Sequence, residues 1–384
     1  LAMIMKATDI SRSFLFFHFL CISSIKLSAG FVVTNVIPVL HVGGEFLRRK
    51  VILTAGGFGS PKSQGSNNKV GNPTSKKMKE SEKKKIQAQL LQKYGGDIAK
   101  GTEERIQASM SQLPPDLYSA VTLYQKVKQW EARWSKLSEL AKNSIPEKDV
   151  IEARCDKEDL IDLYEKLNLD DADMHNFYQR TTWDASADAK SARAVMFRMN
   201  PDLERRIRVA CEYLVDPVQT SGNRVLDVGC GPGILIPYLT NVGFLPKQII
   251  GIDLSPEMIR NARLQHRGVN FMDIDFIKKF HDDEGFNGII FCSSLHDMPD
   301  QVQALQKARS LLRSGGTIVI VHAQGATHVL GQVKANPVMV TKGLPSALEL
   351  EAMNLGLQII QAPGEPGSKL DTENGYLAVM KHVP

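Results

Sequence analysis

The stretch that decides the fold is NRVLDVGCGPGILIPYLTNV, residues Asn223–Val242. It begins with a short apolar run, Val225–Val228, which predicts a buried strand. The run ends in a glycine turn, Gly229–Gly233, and an apolar helical pattern follows the turn. This order presents backbone N–H groups and a helix N-terminus to an anionic ligand group. Glycines let a ligand approach the backbone more closely than a Cβ would permit. The stretch therefore predicts a ligand site at the end of a strand.

The spacing of the glycines separates two kinds of nucleotide site. A dinucleotide fingerprint would place its third glycine at position 234, which is Ile. Here the spacing is instead G-x-G-x-G, and an acid, Asp227, lies inside the strand before the turn. The turn therefore argues against a site that seats a pyrophosphate.

A second apolar run ends in an acid ~20 residues beyond the glycines, where a nucleotide ribose is held in α/β sheets. The run is Gln248–Asp253, and Ser255 and Pro256 then predict a helix start. A carboxylate at this position accepts charge-assisted hydrogen bonds from two vicinal hydroxyls. Asp253 is therefore predicted to hold an adenosine ribose. The alternative is that Asp253 only caps the following helix.

Three further features follow in order, and with the first two they resemble the class I S-adenosylmethionine (SAM)-dependent methyltransferases. They are a third strand leading to Asp275, a fourth strand and loop at Phe286–Asp300, and a glycine-containing turn into Thr317–Val321. The resemblance covers residues 200–384. It implies an α/β fold with a seven-stranded Rossmann-like sheet, closed by an antiparallel hairpin of Leu357–Ile360 and Tyr376–Met380.

The resemblance also implies that SAM is the cofactor and that the strand tips hold it. The implied contacts are Asp227, Gly229, Cys230, Gly231, Gly233, Asp253, Leu254, Asp275, Phe276, Cys292 and Ser293. Asp275 is predicted to accept a hydrogen bond from the adenine amino group, with Asp273 as the alternative. The family commonly has an acid where Asn287 stands here.

In the family, an aromatic segment upstream of the glycine turn often closes over the cofactor. Phe177–Asp184 occupies that place in this chain. A sulfonium is a cation, and an aromatic face attracts a cation. Tyr178 or Trp183 is therefore predicted to pack over the cofactor as part of a mobile lid. The alternative is that both rings anchor the segment to the core.

Methyl transfer from SAM needs alignment of the acceptor and exclusion of water, and a base only if the acceptor loses a proton. His322 after the fifth strand and His296 after the fourth are the predicted catalytic candidates, and His328 in the loop beyond is a third. Each has the alternative of a structural role. No metal site is predicted, and the acceptor is expected to be a small molecule.

Two other functions remain open for the same fold. One is a SAM-binding protein without transferase activity. The other is an aminopropyl transferase, whose family usually lines its site with several acids. The loop after the fourth strand here offers Asp297 as its nearby acid, which argues against that second alternative.

The net charge of +5 is divided unevenly along the 384 residues. Residues 1–100 contain 16 Lys and Arg against 5 Asp and Glu, whereas the remainder contains 31 against 37. Since a nucleic-acid-binding protein carries its basic excess on the working domain, no nucleic-acid partner is expected.

Residues 1–30 are predicted to be a signal-peptide-like segment, with Ser13–Ile22 as its apolar part, which is too short for an ordinary membrane span. Residues 31–85 are predicted to be a disordered basic linker similar to a transit peptide. Together they resemble a bipartite plastid leader, with a mitochondrial or secretory destination as the alternatives. No membrane span is predicted in the mature protein. The body is not a disulfide framework, which argues against an extracellular destination.

Residues 86–199 are predicted to form a helical region on the lid and substrate side of the 200–384 domain. Its clearest helix opens at Pro114–Asp116. The helix has a continuous stripe of apolar residues at steps of three and four. These residues are Leu117, Val121, Tyr124, Val127, Trp130, Trp134 and Leu137. We interpret the stripe as packing.

Overall fold

The computed structural model describes residues 25–26, 32–33, 98–198, 200–215 and 222–383. The predicted leader and linker, residues 1–85, lie outside these residues apart from two short strands. Ile25–Lys26 and Val32–Val33 pair in antiparallel orientation. Among the described residues, none of the helices is both long and apolar enough to cross a membrane.

A seven-stranded sheet organises residues 222–383. Its strands are β1 (Val225–Val228), β2 (Ile249–Asp253), β3 (Asn270–Asp273), β4 (Phe286–Cys292), β5 (Leu312–His322), β6 (Gln358–Gln361) and β7 (Tyr376–Lys381). Their spatial order is β3-β2-β1-β4-β5-β7-β6. The first five are parallel, and β7 pairs antiparallel with both β5 and β6. The predicted α/β sheet and its closing hairpin are confirmed.

Helices flank the sheet and precede it in the chain. They are α1 (Ile98–Met110), α2 (Pro115–Trp134), α3 (Glu139–Lys142), α4 (Glu147–Leu167), α5 (Asp171–Arg198), α6 (Pro201–Glu212), α7 (Ile236–Asn241), α8 (Pro256–Gln265), α9 (Gln301–Leu311), α10 (Ala326–Ala335), α11 (Ala347–Ala352) and α12 (Lys369–Asn374). Two single 3-10 turns occur at Pro246–Gln248 and Leu295–Asp297.

Side chains alternate between the two faces of the central strand, because successive residues of a strand point to opposite sides. Leu226 and Val228 pack into one core layer with residues of α9 and α11. Val225 packs into the other layer with residues of α6, α7 and α8. Helices on both faces bury the parallel strands, as such sheets require. The ligand crevice therefore lies at the carboxyl ends of the parallel strands, which we call the carboxyl edge of the sheet.

A third core joins α2, α4 and α5 with the chain that follows α10. Val121, Tyr124 and Val127 of the predicted apolar stripe are buried in it. Trp130 and Trp134 are half-buried and stack with ring centroids 5.7 Å apart. The interpretation of the stripe as packing is therefore confirmed over most of its length.

Two elements differ from the sequence prediction. The helix after the glycine turn begins only at Ile236. His328, predicted to lie in a loop, lies in α10, because the Asp371 carboxylate accepts hydrogen bonds from the first amides of that helix.

Candidate cofactor and acceptor site

The glycine turn follows β1 and is held against the end of β2. Gly229, Gly231 and Gly233 have φ of 72°, 53° and 81°, in the left-handed region that favours glycine. A Cβ at Gly229 would lie 2.5 Å from Ser294 Cβ, and one at Gly233 would lie 2.5 Å from the His266 ring. A Cβ at Gly231 would meet no atom within 4 Å. The outer glycines are therefore needed for packing, whereas Gly231 faces open space where a ligand can approach.

Asp227, inside β1, has a buried carboxylate at 1% exposure. Neither carboxylate oxygen has a hydrogen-bond partner among the described residues. Burial, and then the neighbouring charge of Asp253, raise the pKa of Asp227 to about 8. A buried charge without a partner is unfavourable, so such a group is retained where a ligand supplies the partner. The carboxylate fits the ammonium of an amino-acid ligand.

Asp253, at the tip of β2, already accepts two backbone hydrogen bonds. One carboxylate oxygen accepts from Gly231 N and the other from Ser255 N, both at 2.9 Å. Burial raises the pKa of Asp253 to about 6, although these two hydrogen bonds act in the opposite direction. Ser255 itself is the N-cap of α8, through Met258 N at 3.1 Å. Asp253 is therefore not the cap, and each oxygen retains a lone pair for a ribose hydroxyl.

The third predicted acid is engaged by the helical region. Asp275 accepts from Asn176 Nδ2 of α5 at 2.8 Å and from Lys278 N at 2.9 Å. Asp273, the alternative, lies 3.8 Å from Arg263, and its side chain is 47% exposed. Phe276 is buried and packs edge-on against Phe291, so only its backbone can reach a ligand.

The remaining predicted contacts lie around the ends of β2 and β4. The Cys230 thiol is buried, Leu254 is half-buried, and burial raises the pKa of the half-buried Cys292. Ser293 is exposed and has φ of 55°, uncommon for a residue other than glycine. Its neighbour Ser294 donates to Val228 O at 2.5 Å and so joins the two strand ends.

Helix α5 crosses the carboxyl edge and contacts four separate segments there. The hydrogen bonds join His175 Nε2 to Asp297 O (2.9 Å), Asn176 Nδ2 to Asp275 (2.8 Å), Gln179 Nε2 to Met339 O (2.6 Å), and Ser255 Oγ to Asp184 Oδ1 (2.5 Å). Sequence reasoning missed His175, Asn176 and Gln179, because their partners are 99 to 160 residues away along the chain. The predicted covering segment therefore lies on this helix.

The two aromatic rings of that segment pack against the core of the helical region. Tyr178 is 3% exposed and packs in the core of the helical region, which leaves its ring no free face for a cofactor. Burial also raises its pKa. Trp183 is half-buried and packs against the same core. The position of Tyr178 speaks against a contact with the sulfonium and favours the anchoring alternative.

The predicted catalytic histidines lie together at the ends of β4 and β5: His296 is in the turn after β4, and His322 is the last residue of β5. The rings of His296 and His322 meet edge-on with centroids 5.1 Å apart, and His328 stacks on His322 at 5.5 Å. His296 Nε2 lies 3.6 Å from a carboxylate oxygen of Asp297. Among the described residues, no group of three or more His, Cys, Asp or Glu side chains is arranged to hold a metal ion.

Comparison with known proteins supports the assignment made from this geometry. Residues 219–365 match the model of a methyltransferase domain family. Residues 219–365 therefore match a methyltransferase domain, and the order of the strands and the glycine turn agree with the class I SAM-dependent fold. The residues at the carboxyl edge fit SAM as the cofactor, since the Asp227 carboxylate, which has no hydrogen-bond partner among the described residues, can pair with its ammonium.

Two curated relatives, both from Xanthomonas, are named ubiquinone biosynthesis O-methyltransferase. The protein of X. campestris pv. campestris (strain B100) is 31% identical over 144 residues, covering 36% of this chain and 54% of the relative. That of X. axonopodis pv. citri (strain 306) is 28% identical over 200 residues, covering 47% and 77%. The chain thus spans about half the length of the first of these relatives.

A solved structure with a similar fold is magnesium protoporphyrin IX methyltransferase from Synechocystis PCC 6803 with bound SAH. It is 16% identical to this chain, with a TM-score of 0.41, and the match covers 54% of this chain and 98% of that one.

Proposed function

We propose that this protein transfers a methyl group from SAM to a hydroxyl oxygen of a small aromatic molecule. The observation that carries the proposal is Asp227, a buried carboxylate that has no hydrogen-bond partner among the described residues and lies beside a glycine turn of the methyltransferase spacing. SAM supplies a methyl on a sulfonium, which makes transfer an in-line displacement.

The residues of the carboxyl edge have distinct roles in this proposal. Asp227 holds the ammonium of the cofactor, and Asp253 accepts hydrogen bonds from its ribose hydroxyls. Gly231 leaves the space in which the ligand approaches the backbone. Helix α5 covers the edge and excludes water, which strengthens electrostatic interactions beneath it.

The class of acceptor is supported by two independent features. Two relatives bear the name of an O-methyltransferase. His296 and His322, both buried, lie at the carboxyl ends of β4 and β5, where the acceptor is expected to bind. An imidazole is the common base for taking a proton from a hydroxyl.

The test combines binding and turnover on the full chain. Isothermal titration should show SAM binding, and Asp253→Ala should weaken it by about 1.5–3 kcal/mol, the scale of lost hydrogen bonds to a charged group. Incubation with methyl-labelled SAM and a panel of phenols and catechols should give a labelled methyl ether. SAM binding without transfer to any acceptor would instead favour a SAM-binding protein, and NADH binding would overturn the assignment.

We also propose that residues 1–85 direct the protein to a plastid. The support is the short apolar run followed by an acid-poor basic tract. N-terminal sequencing of the native protein should place the mature start between residues 30 and 100. Recovery of an intact terminus at Met3 or Met5 would exclude removal of the leader.

A further inference from the structure

Three histidines from separate elements form one continuous stack at the acceptor end of the site. His296 lies in the 3-10 turn after β4, His322 ends β5, and His328 lies in α10. The ring centroids of the first two are 5.1 Å apart, with planes at 75°. The centroids of the second and third are 5.5 Å apart, with planes at 28°. The stack therefore joins the turn after β4 to the end of β5 and the helix that follows it.

The stack runs from the interior to the surface. His296 and His322 are 4% and 3% exposed, whereas His328 is partly exposed. His175 also lies at this edge, but its ring is held between the Tyr124 hydroxyl at 3.1 Å and Asp297 O at 2.9 Å. His175 is therefore fixed as a link between helices and does not extend the stack.

The outer histidine is held in place by a network of its own. Asp371 accepts hydrogen bonds from Ala326 N at 2.6 Å and from the Thr327 hydroxyl at 2.6 Å, which fixes the first turn of α10. Arg206 of α6 donates to Ala323 O, in the turn between His322 and α10. The position of His328 relative to His322 is thus set by contacts from two other segments, α12 and α6.

The proposed methylation releases a proton inside the site, and the stack offers this proton a route to solvent. Methylation of a neutral hydroxyl forms the O–CH₃ bond as the S–CH₃ bond breaks, and the electron pair of that bond goes to sulfur. The O–H proton is released, one for each turnover. Helix α5 covers the carboxyl edge, so this proton needs a route to solvent other than through the cofactor crevice.

We propose that His296, His322 and His328 form a proton exit path. A ring nitrogen of His296 accepts the hydroxyl proton, His322 relays it, and His328 delivers it to water. This inference rests on the proposed function, because the path has a purpose only if a protonated acceptor is methylated. The alternative is that the three rings are only packed together.

The experiment separates proton transfer from packing by changing the outer ring. His328→Phe keeps an aromatic ring on His322 but has no nitrogen to carry a proton. His281→Phe, at an exposed histidine after β3, is the matched control. The full-length protein is assayed with methyl-labelled SAM and catechol at low buffer concentration, with and without added imidazole. SAM affinity is measured in parallel by titration.

We expect His328→Phe to lower the methylation rate by about tenfold, less than the ~10²–10⁴-fold effect of losing a general base outright. Imidazole should restore most of the rate, and SAM affinity and the control variant should be unchanged. A His328→Phe rate equal to wild type, or a loss that imidazole does not restore, would overturn the path and leave the proposed function intact. SAM binding by the wild type with no transfer to any hydroxyl acceptor would overturn both.

Discussion

Buried and partly buried carboxylates are paired differently at the amino and carboxyl ends of the parallel strands, which are the amino edge and the carboxyl edge of the sheet. At the amino edge, Arg224 donates two hydrogen bonds to Asp282, at 2.7 and 2.8 Å, and Asp282 also accepts from Gly285 N. Although burial acts in the opposite direction, the Arg224 hydrogen bonds hold the pKa of Asp282 below its usual range. At the carboxyl edge, Asp227 has no hydrogen-bond partner among the described residues, and its pKa is raised to about 8.

This difference distinguishes a structural edge from a functional one. A fully paired carboxylate stabilises the fold, whereas a buried unpaired one is tolerated because a ligand pairs with it. Asn287, where the family commonly has an acid, belongs to the structural edge. Its side-chain oxygen accepts from Arg224 N at 3.1 Å and from Arg313 at 3.0 Å. An amide there keeps the fold without touching the cofactor.

The largest effect should come from the amino edge. Asp282→Ala leaves the Arg224 guanidinium, 18% exposed, without its bidentate partner. We expect a loss of about 3 kcal/mol in the free energy of unfolding, the low end for breaking a buried ion pair. Urea denaturation measures it. SAM affinity of the folded fraction should be unchanged, and a large loss of affinity would show that the two edges are not independent.

The converse variant is Asp227→Asn, which keeps the shape of the side chain but removes its charge. SAM affinity should fall by about 1.5–3 kcal/mol, as for a lost hydrogen bond between charged groups. Stability without ligand should not fall, because the carboxylate has no partner to lose. Calorimetric titration and urea denaturation together test this. If Asp227→Asn destabilised the protein as much as Asp282→Ala, the comparison of the edges would fail.

The pH dependence of stability should distinguish the wild-type protein from Asp227→Asn. The folded-state pKa of Asp227, about 8, lies above its unfolded value of about 3.9, so the folded state binds more protons between these values. Stability without ligand should therefore fall as pH rises from about 4 to about 8, and this part of the fall should be absent in Asp227→Asn. Melting temperatures of both proteins across that range measure the difference. If the melting temperatures of the two proteins changed in parallel with pH, Asp227 would be ionised or paired in the folded protein.

The sequence predicted those residues of the carboxyl edge that lie close to one another along the chain. The β1 strand, the glycine turn and Asp253 lie within a short continuous stretch, so spacing alone placed them together. The contacts of α5 could not be predicted, because Asn176 and Asp275 meet only once the sheet has folded. The aromatic residues of Phe177–Asp184 marked a covering segment, but they did not specify that it lies on α5 or which element the Tyr178 ring would face.

The smallest effect concerns how firmly α5 holds the carboxyl edge. Asn176→Ala removes one hydrogen bond to Asp275, a change expected to weaken the contact by about 1 kcal/mol. Because His175 and Gln179 keep their own contacts, α5 should stay helical but open more often.

Limited proteolysis near Arg180, which is 55% exposed, reports this opening. Without ligand the variant should be cut faster than wild type. SAM should protect both proteins, since the proposed SAM site lies between the strand tips beneath the helix. Thr181→Ala is the matched control, because its hydroxyl bonds only to Phe177 O within the same helix. Equal cutting of wild type with and without SAM would show that α5 is a fixed wall of the site and not a lid.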